Sequence, residues 1–176
     1  MRSMQLSETI RPARTVRIML IALAAVLSMV CAPMSAAEGQ DMLKRFPHIH
    51  GDTVVFVSGG DIWKAPVSGG EAVRLTLHDG EELYPRISPC GKWVAFTGEY
   101  DGNADVYVMN IYGGKITRVT WHPSHDQVLG WHADSGRILF VSGRYSYSRF
   151  QRLYLIKPDG TDLEELPMPE AGTGSF

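Results

Sequence analysis

Apolar residues in this chain form short runs that recur in the same order three times. Each repeat begins with Gly, runs through four or five apolar residues, and then passes a polar loop, a second apolar run and a Gly turn. The three stretches are GDTVVFVSGGDIWKAPVSGGEAVRLT (51–76), GKWVAFTGEYDGNADVYVMNIYGGKITRVT (91–120) and GRILFVSGRYSYSRFQRLYLIKPDGTDLEEL (136–166). Because Val, Ile and aromatic residues dominate the runs and Gly separates them, the pattern predicts β-hairpins and an all-β chain.

The spacing of the repeat indicates a particular all-β architecture. Phe56, Phe96 and Phe140 are 40 and 44 residues apart, and a period in the low forties with four strands is the size of a β-propeller blade. The runs TVVFV, WVAF and RILFV are almost continuously apolar, which predicts strands that are covered on both faces. The alternative, a β-sandwich, would not require a Gly turn at the same place in every repeat.

The predicted fold is therefore a partial β-propeller over residues 38–176. Its four-stranded antiparallel blades are expected at about 45–76, 83–120 and 127–166, and residues 172–176 are expected to start a further blade. In the second blade the innermost strand is predicted at Leu83–Ile87. Propellers close with about four to eight blades, so three units and a few residues predict a chain that is cut within a repeat.

The N-terminal residues follow a different pattern. Arg11, Arg14 and Arg17 precede the uncharged apolar run Ile18–Val30, and the small residues Ser35, Ala36 and Ala37 follow it. This layout predicts a secretory signal peptide over residues 1–37 and a periplasmic or secreted protein; the alternative is an uncleaved N-terminal anchor. The run of 13 residues is short for a membrane span, so no stable span is expected once the signal is removed.

Composition and candidate chemistry add little to this picture. The 176 residues carry a formal net charge of −2, which gives no basic footprint for nucleic acid. GxSxG, HExxH and CxxC motifs are missing, so we assign no catalytic, cofactor-binding or metal-binding residue and expect no cofactor.

The histidines and the cysteine are predicted to be structural. His48 and His50 have no evident third metal ligand. His78 and His122 each follow the repeat's Thr by two residues, which predicts a structural position between blades. Cys90, the single cysteine after residue 37, is predicted to be a small buried thiol.

Repeated aromatic residues and one irregular loop complete the candidates. Trp63, Tyr107 and Tyr154 fall at equivalent places in their units, which predicts a role in blade packing. The stretch SGRYSYSRFQR (Ser142–Arg152) is the least repeat-like. It is open whether this loop contacts a peptide, a partner subunit or neither.

The repeats resemble a known family. IHGDTVVFVSGGDIW (Ile49–Trp63), followed by a Gly-Gly turn and RLT, is similar to the opening of the first propeller of bacterial tricorn protease homologues, and LPMPEAGTGSF (166–176) to their connector into the next blade. YPRISPCGKWVAFTGEYDGNADVYVMN (84–110) resembles the repeat that this family shares with the translocation protein TolB. The resemblance covers about residues 45–176. The family's Asp-Gly turn is replaced here by Cys90 and Gly91.

The resemblance implies a fold and a function for a longer protein. Tricorn proteases are large serine peptidases that degrade short peptides and assemble as hexamers. Their six-bladed first propeller is thought to be a passage or filter for peptides, and it precedes a second propeller, a PDZ-like module and catalytic domains. The resemblance implies that this chain supplies part of that first propeller and no catalytic residue. The archaeal relatives imply a cytoplasmic location as the alternative. A TolB-like periplasmic protein-binding propeller and a stand-alone, non-enzymatic repeat protein remain open as functions.

Overall fold

The described part of the chain folds as three antiparallel sheets. A computed structural model describes residues 43–145 and 150–167, and all regular structure in them is β. The predicted signal peptide, the middle of the irregular loop (146–149) and the predicted start of a further blade at 172–176 lie outside these residues.

Each sheet is formed by four strands that follow one another in the chain. The first sheet contains β1 (Lys44–His50), β2 (Thr53–Ser58), β3 (Asp61–Pro66) and β4 (Val73–Arg74). The second contains β5 (Glu82–Ile87), β6 (Trp93–Gly98), β7 (Asp105–Asn110) and β8 (Thr117–Arg118). The third contains β9 (Asp126–Trp131), β10 (Ile138–Ser142), β11 (Arg152–Ile156) and β12 (Glu164–Glu165). This repetition confirms the predicted class of a partial β-propeller with four-stranded blades; a ring of six blades stays a prediction.

The second blade is packed between the other two. Its strand β6 is buried along nearly its whole length. Phe96 belongs to an apolar cluster shared with Val55 and Val57 of the first blade, whereas Ala95 belongs to a cluster shared with Phe140 of the third. Because successive strand residues point to opposite faces, an almost continuous apolar run is what a strand between two neighbours requires.

Cross-strand aromatic pairs explain the repeat of Phe and of the later Trp or Tyr. The register joins Phe56 to Trp63, Phe96 to Tyr107, and Phe140 to Tyr154. In the second and third blades the paired rings are stacked with centroids 5.8 and 5.5 Å apart. Pairs of this kind are a main source of sheet stability, so the predicted role of these aromatic residues in blade packing agrees with their positions.

The prediction of a buried thiol at Cys90 is wrong, because this side chain is exposed. Ser88 explains why Cys90 is exposed, because Ser88 is the buried residue that stabilises the turn between β5 and β6. The Trp93 amide donates to Ser88 Oγ at 3.0 Å, and the Gly91 amide donates to the Ser88 carbonyl at 2.9 Å. Ser88 supplies the acceptor that an Asp at position 90 would have offered, and the exposed Cys90 Sγ lies 3.3 Å from Ser88 Oγ at the surface of this turn.

The search for membrane-spanning helices gave no candidate: none of the described residues belongs to a helix with the length and apolarity that crossing requires.

Candidate binding groove on the inner strands

The first strand of each sheet lies beside the first strand of the next, so that β1, β5 and β9 form one continuous wall. Side chains cross between these strands. The Ile87 amide donates to His48 Nδ1 at 3.1 Å, and Arg86 Nε donates to the Leu129 carbonyl at 2.9 Å. In the reverse direction, Trp131 Nε1 donates to the Arg86 carbonyl at 2.9 Å. These bonds hold the three inner strands together through side chains rather than through a backbone ladder.

A β-bulge in each of the first two inner strands positions these side chains. The register of β1 shifts before His48, and that of β5 shifts before Arg86. Within the bulges Phe46 and Tyr84 have positive φ angles of 53° and 52°, and their rings lie 4.4 Å apart. Bulges re-aim the side chains that follow them, and a positive φ in a bulky residue costs about 1–3 kcal/mol. The strained bulges therefore place His48 and Arg86 at matching positions of neighbouring strands.

A groove of about 590 Å³ opens at the carboxyl ends of these inner strands. Its lining consists of Pro47, His48, Ile49, His50, Arg86, Ile87, Pro89, Leu129, Gly130, Trp131, Ala133 and Leu139. The volume is within the range of small-ligand sites, about 300–1,000 Å³. The groove combines an apolar wall with a few basic groups, and none of its described lining residues is acidic.

The basic groups of the groove influence one another. Burial lowers the pKa of the His48 imidazole, and the nearby Arg86 and His50 lower it further. Burial also lowers the pKa of Arg86, but a guanidinium remains charged in proteins. His48 Nδ1 accepts a backbone hydrogen bond, so its neutral tautomer carries the proton on Nε2. At neutral pH the groove therefore offers one fixed cation and an imidazole N–H.

The opposite ends of the inner strands have a structural role. Glu82, the first residue of β5, is fully buried and accepts hydrogen bonds from Thr76 Oγ1 and the Tyr100 hydroxyl, both at 2.8 Å. Burial raises the pKa of Glu82, although these two bonds oppose the effect. In the third blade Asp126, the first residue of β9, pairs with Arg144. The Thr76–Glu82 bond thus joins the first two blades, whereas the Asp126–Arg144 pair lies within the third blade.

The histidines singled out from the sequence fall into two groups. His78 Nδ1 accepts from the Gly80 amide at 2.9 Å, and His122 Nδ1 accepts from the Ser124 amide at 3.1 Å. The His78 ring also lies 3.8 Å from the ring of Tyr100. These contacts agree with the predicted structural position between blades. His48 and His50, in contrast, lie together in the groove.

The irregular loop is anchored at its start. Arg144 is buried, pairs with Asp126, and donates from Nε to Ser142 Oγ at 3.0 Å. Its guanidinium carbon lies 5.0 and 5.3 Å from the ring centroids of Phe140 and Tyr154. This first part of the loop therefore belongs to the blade and is not available to a ligand.

Sequence reasoning did not single out Arg86 or Trp131. A signal for Arg86 was present in the pattern, because an aromatic residue and Pro precede His48 in Phe46-Pro47-His48 and precede Arg86 in Tyr84-Pro85-Arg86. The shared pattern marks the same bulge in two inner strands.

Comparisons with known proteins agree with this architecture. The family described as the tricorn protease N-terminal β-propeller domain matches residues 41–176. Tricorn protease homolog 1 of Streptomyces coelicolor is 39% identical over 131 residues, which are 73% of this chain and 12% of that protein. The TolB homolog of Chlorobium luteolum is 30% identical over 118 residues, 64% of this chain and 26% of that protein.

A solved structure shows the same fold. The crystal structure of the tricorn protease superposes with a TM-score of 0.64 at 24% identity, over 71% of this chain and 13% of that protein. The chain thus spans about an eighth of the length of these two tricorn proteins.

Proposed function

The chain belongs to the family of tricorn protease N-terminal β-propeller domains, and we propose that it supplies the propeller portion of a tricorn-type serine peptidase that degrades peptides. The wall of inner strands is the passage or filter through which peptides reach catalytic groups carried elsewhere in the protein. No described residue is given a catalytic role. The whole protein assembles as a homo-oligomer, with a hexamer as the expected state.

The observation that carries this proposal is the composition of the inner wall. The groove there combines apolar side chains such as Trp131 and Leu139 with the basic groups of Arg86 and His48. A wall with both kinds of group suits short peptides of varied sequence, because apolar contacts are tolerant and a few charged groups orient the ligand. The strained bulges that present His48 and Arg86 support a functional use of this surface.

The proposed location is the periplasm or the outside of the cell, and it rests on the layout of residues 1–37. Cell fractionation with an antibody against the chain tests it: recovery with periplasmic markers supports export, whereas recovery with cytoplasmic markers favours the alternative.

The peptidase proposal is tested on the native protein that contains this sequence. The same antibody isolates that protein, and hydrolysis of fluorogenic short peptides is measured for the isolate and for the pure 176-residue chain. We expect turnover by the isolate, blocked by a serine-directed phosphonate, and none by the chain. An isolate that hydrolyses no peptide contradicts the proposal, and turnover by the pure chain contradicts the absence of catalytic groups.

The second candidate is a TolB-like protein-binding propeller, and the 30% identity to a TolB homolog favours it. Such a protein would have no peptidase activity and would act through contacts with other proteins. An inactive isolate that co-purifies in a fixed ratio with one protein partner would support this candidate over the first.

A further inference from the structure

The two junctions between the described blades are built around one repeated threonine. Thr76 and Thr120 are buried, and their hydroxyl oxygens accept the amides of Ile62 and Val106 at 2.8 and 2.9 Å. Around each threonine lie two buried carboxylates, one from its own blade and one from the next. They are Asp61 and Glu82 at the first junction, and Asp105 and Asp126 at the second.

The first junction is short of one hydrogen-bond donor. Thr76 Oγ1 and the Tyr100 hydroxyl donate to the two oxygens of Glu82, both at 2.8 Å. Arg74 pairs with Asp61 Oδ2, whereas Asp61 Oδ1 is buried and has no hydrogen-bond partner among the described residues. The single hydroxyl proton of Thr76 serves one carboxylate and leaves the other with an unpartnered oxygen, which is costly in a buried site.

The second junction has the same layout with a different balance of charge. Here the threonine hydroxyl points the other way, because Thr120 Oγ1 donates to Asp105 Oδ1 of its own blade at 3.2 Å. Asp126 Oδ1 is now the buried oxygen without a partner in the described part of the chain. Each carboxylate has its own cation, however, since Arg118 pairs with Asp105 and Arg144 pairs with Asp126. Two buried anions are therefore offset by two arginines.

The first junction lacks this second cation among the described residues. Arg45 of the neighbouring strand β1 lies 3.6 Å from Glu81 and not beside Glu82. His78 is the other basic group that faces Glu82, but its side chain is exposed. Burial raises the pKa of Glu82 and Asp61 raises it further, and these effects outweigh the lowering by His78 and by the two hydroxyl bonds. A fully buried carboxylate beside a second carboxylate favours its neutral form.

We propose that the junction between the first two blades binds one proton on the Glu82 carboxyl, where the second junction has an arginine. The carboxyl O–H donates to the second lone pair of Thr76 Oγ1. The Thr76 hydroxyl then donates to Asp61 Oδ1, as Thr120 does to Asp105 in the second junction. One added proton therefore gives every carboxylate oxygen of the first junction a donor and removes its uncompensated charge.

Release of this proton weakens the contact between the blades. Without it Glu82 is a second buried anion beside Asp61, and one carboxylate oxygen again has no donor. Because folding raises the pKa of Glu82, the folded chain binds the proton more tightly than the unfolded chain does. The free energy of unfolding therefore falls as pH rises from the ordinary glutamate pKa of about 4.3 through the raised pKa of the folded chain. The first junction is thus a pH-responsive contact that is strongest in acid.

The direct test is a pH titration of the side-chain carboxyl carbons of the full 176-residue chain, followed by ¹³C NMR. We expect the Glu82 signal to change from the protonated to the ionised form with a midpoint above the ordinary glutamate value of about 4.3. A midpoint at or below that value overturns the inference, because Glu82 would then be a stabilised anion.

Two isosteric substitutions distinguish the junctions in urea unfolding at pH 5 and pH 8. Glu82→Gln reproduces the neutral acid, since its amide oxygen accepts from Tyr100 and its amide nitrogen donates to Thr76. At pH 8 its unfolding constant should be no larger than that of the unmodified chain. Asp126→Asn makes the same change at the second junction and leaves Arg144 buried without its carboxylate, so it should raise the unfolding constant at least about tenfold at both pH values.

The comparison also isolates Glu82 from other titrating groups. His48 has the opposite effect on stability, but it is present in all three chains. If Glu82→Gln raised the unfolding constant at both pH values as much as Asp126→Asn does, the proposal would be overturned, because Glu82 would be needed in its ionised form. If Glu82→Gln did not fold, the carboxyl titration of the unmodified chain would still decide the question. Neither measurement involves a peptide, so the result is independent of the proposed function.

Discussion

Replacing Thr120 by Val removes one hydroxyl from the connection between the second and third blades. Thr120 is 2% exposed, and its Oγ1 accepts from the Val106 amide at 2.9 Å and donates to Asp105 Oδ1 at 3.2 Å. Valine has nearly the same shape but neither accepts nor donates. The substitution therefore leaves the buried Val106 N–H without its acceptor, while the Asp105 carboxylate keeps its bond from Arg118.

The expected cost is about 1–3 kcal/mol in the free energy of unfolding, the penalty for an unsatisfied buried polar group. For a domain of this size each 1 kcal/mol lowers Tm by about 4 °C, so thermal unfolding followed by circular dichroism should shift by about 4–12 °C. Thr117→Val makes the same chemical change at an exposed position of β8 and should change the free energy of unfolding by less than about 0.5 kcal/mol.

The repeat supplies an internal replicate of this prediction. Thr76 Oγ1 accepts from the Ile62 amide at 2.8 Å and donates to Glu82 Oε2 at 2.8 Å, so Thr76→Val should destabilise the chain to a similar extent. If Thr120→Val and Thr117→Val had the same small effect, the hydroxyl would not stabilise the blade, and the reasoning from hydrogen-bond satisfaction would be refuted.

Three further predictions concern pH, a close backbone approach and a thiol. Folding lowers the pKa of His48, so protonation of its imidazole opposes folding, and the free energy of unfolding should fall as pH decreases below about 6.5. Urea unfolding at pH 7.5 and at pH 5.5 measures this fall, which should be smaller for His48→Asn, whose amide oxygen can replace Nδ1 as acceptor. The same fall in the variant and in the unmodified chain would contradict the assignment to His48. A Cβ at Gly80 would lie 2.2 Å from a backbone carbonyl oxygen, whereas one at Gly130 would meet no atom within 4 Å. In thermal unfolding, Gly80→Ala should therefore lower the free energy of unfolding by about 1–3 kcal/mol, and Gly130→Ala should hardly change it. Equal effects of the two substitutions would argue against the close approach at Gly80. Because Cys90 is exposed, Ellman's reagent should modify it in the folded chain, and Cys90→Ser should lower the number of modified thiols by one, since Cys31 is the chain's other cysteine; a thiol at residue 90 that reacts only in denaturant would show it to be covered.

The fold was predictable because its determinants repeat at a fixed spacing. Phe96 and Tyr107 form one cross-strand pair, and the same pair recurs in the other blades with Trp63 or Tyr154, so the sequence period reports the register directly. The continuous apolar runs likewise report strands buried between neighbours. Both signals are local patterns, and packing of whole blades only reinforces them.

The groove was not predictable in the same way, because its distinguishing feature is an arginine that has no carboxylate partner among the described residues. Nothing in the sequence around Arg86 shows that it has no carboxylate partner within residues 43–145 and 150–167, since the partners of the other arginines there lie up to 36 residues away in the chain. The exposure of Cys90 was missed for a related reason. Ser88 or residue 90 could each have supplied the acceptor for the turn, and only the folded backbone decides which one does.

The repeats also differ where the inner wall is formed, and this difference argues for where ligands are recognised. The ion pair between the third and fourth strands is kept in every described blade: Asp61–Arg74 and Asp105–Arg118 recur in the third blade with the charges exchanged, as Arg152–Glu165.

Reversal of sign preserves attraction, so the pairing itself is what the fold requires. At the inner wall no such equivalence holds, because the corresponding places opposite Val55, Ala95 and Leu139 are occupied by His48, Arg86 and Gly130. These three residues share neither charge, size nor hydrogen-bonding capacity, so the repeat does not require one residue type here, although His48 and Arg86 each bond to the next blade. Positions that a repeat fold leaves free to differ are the ones at which one blade can acquire a contact that the others lack. Among the described residues that position is held by Arg86, whose guanidinium has no carboxylate partner there.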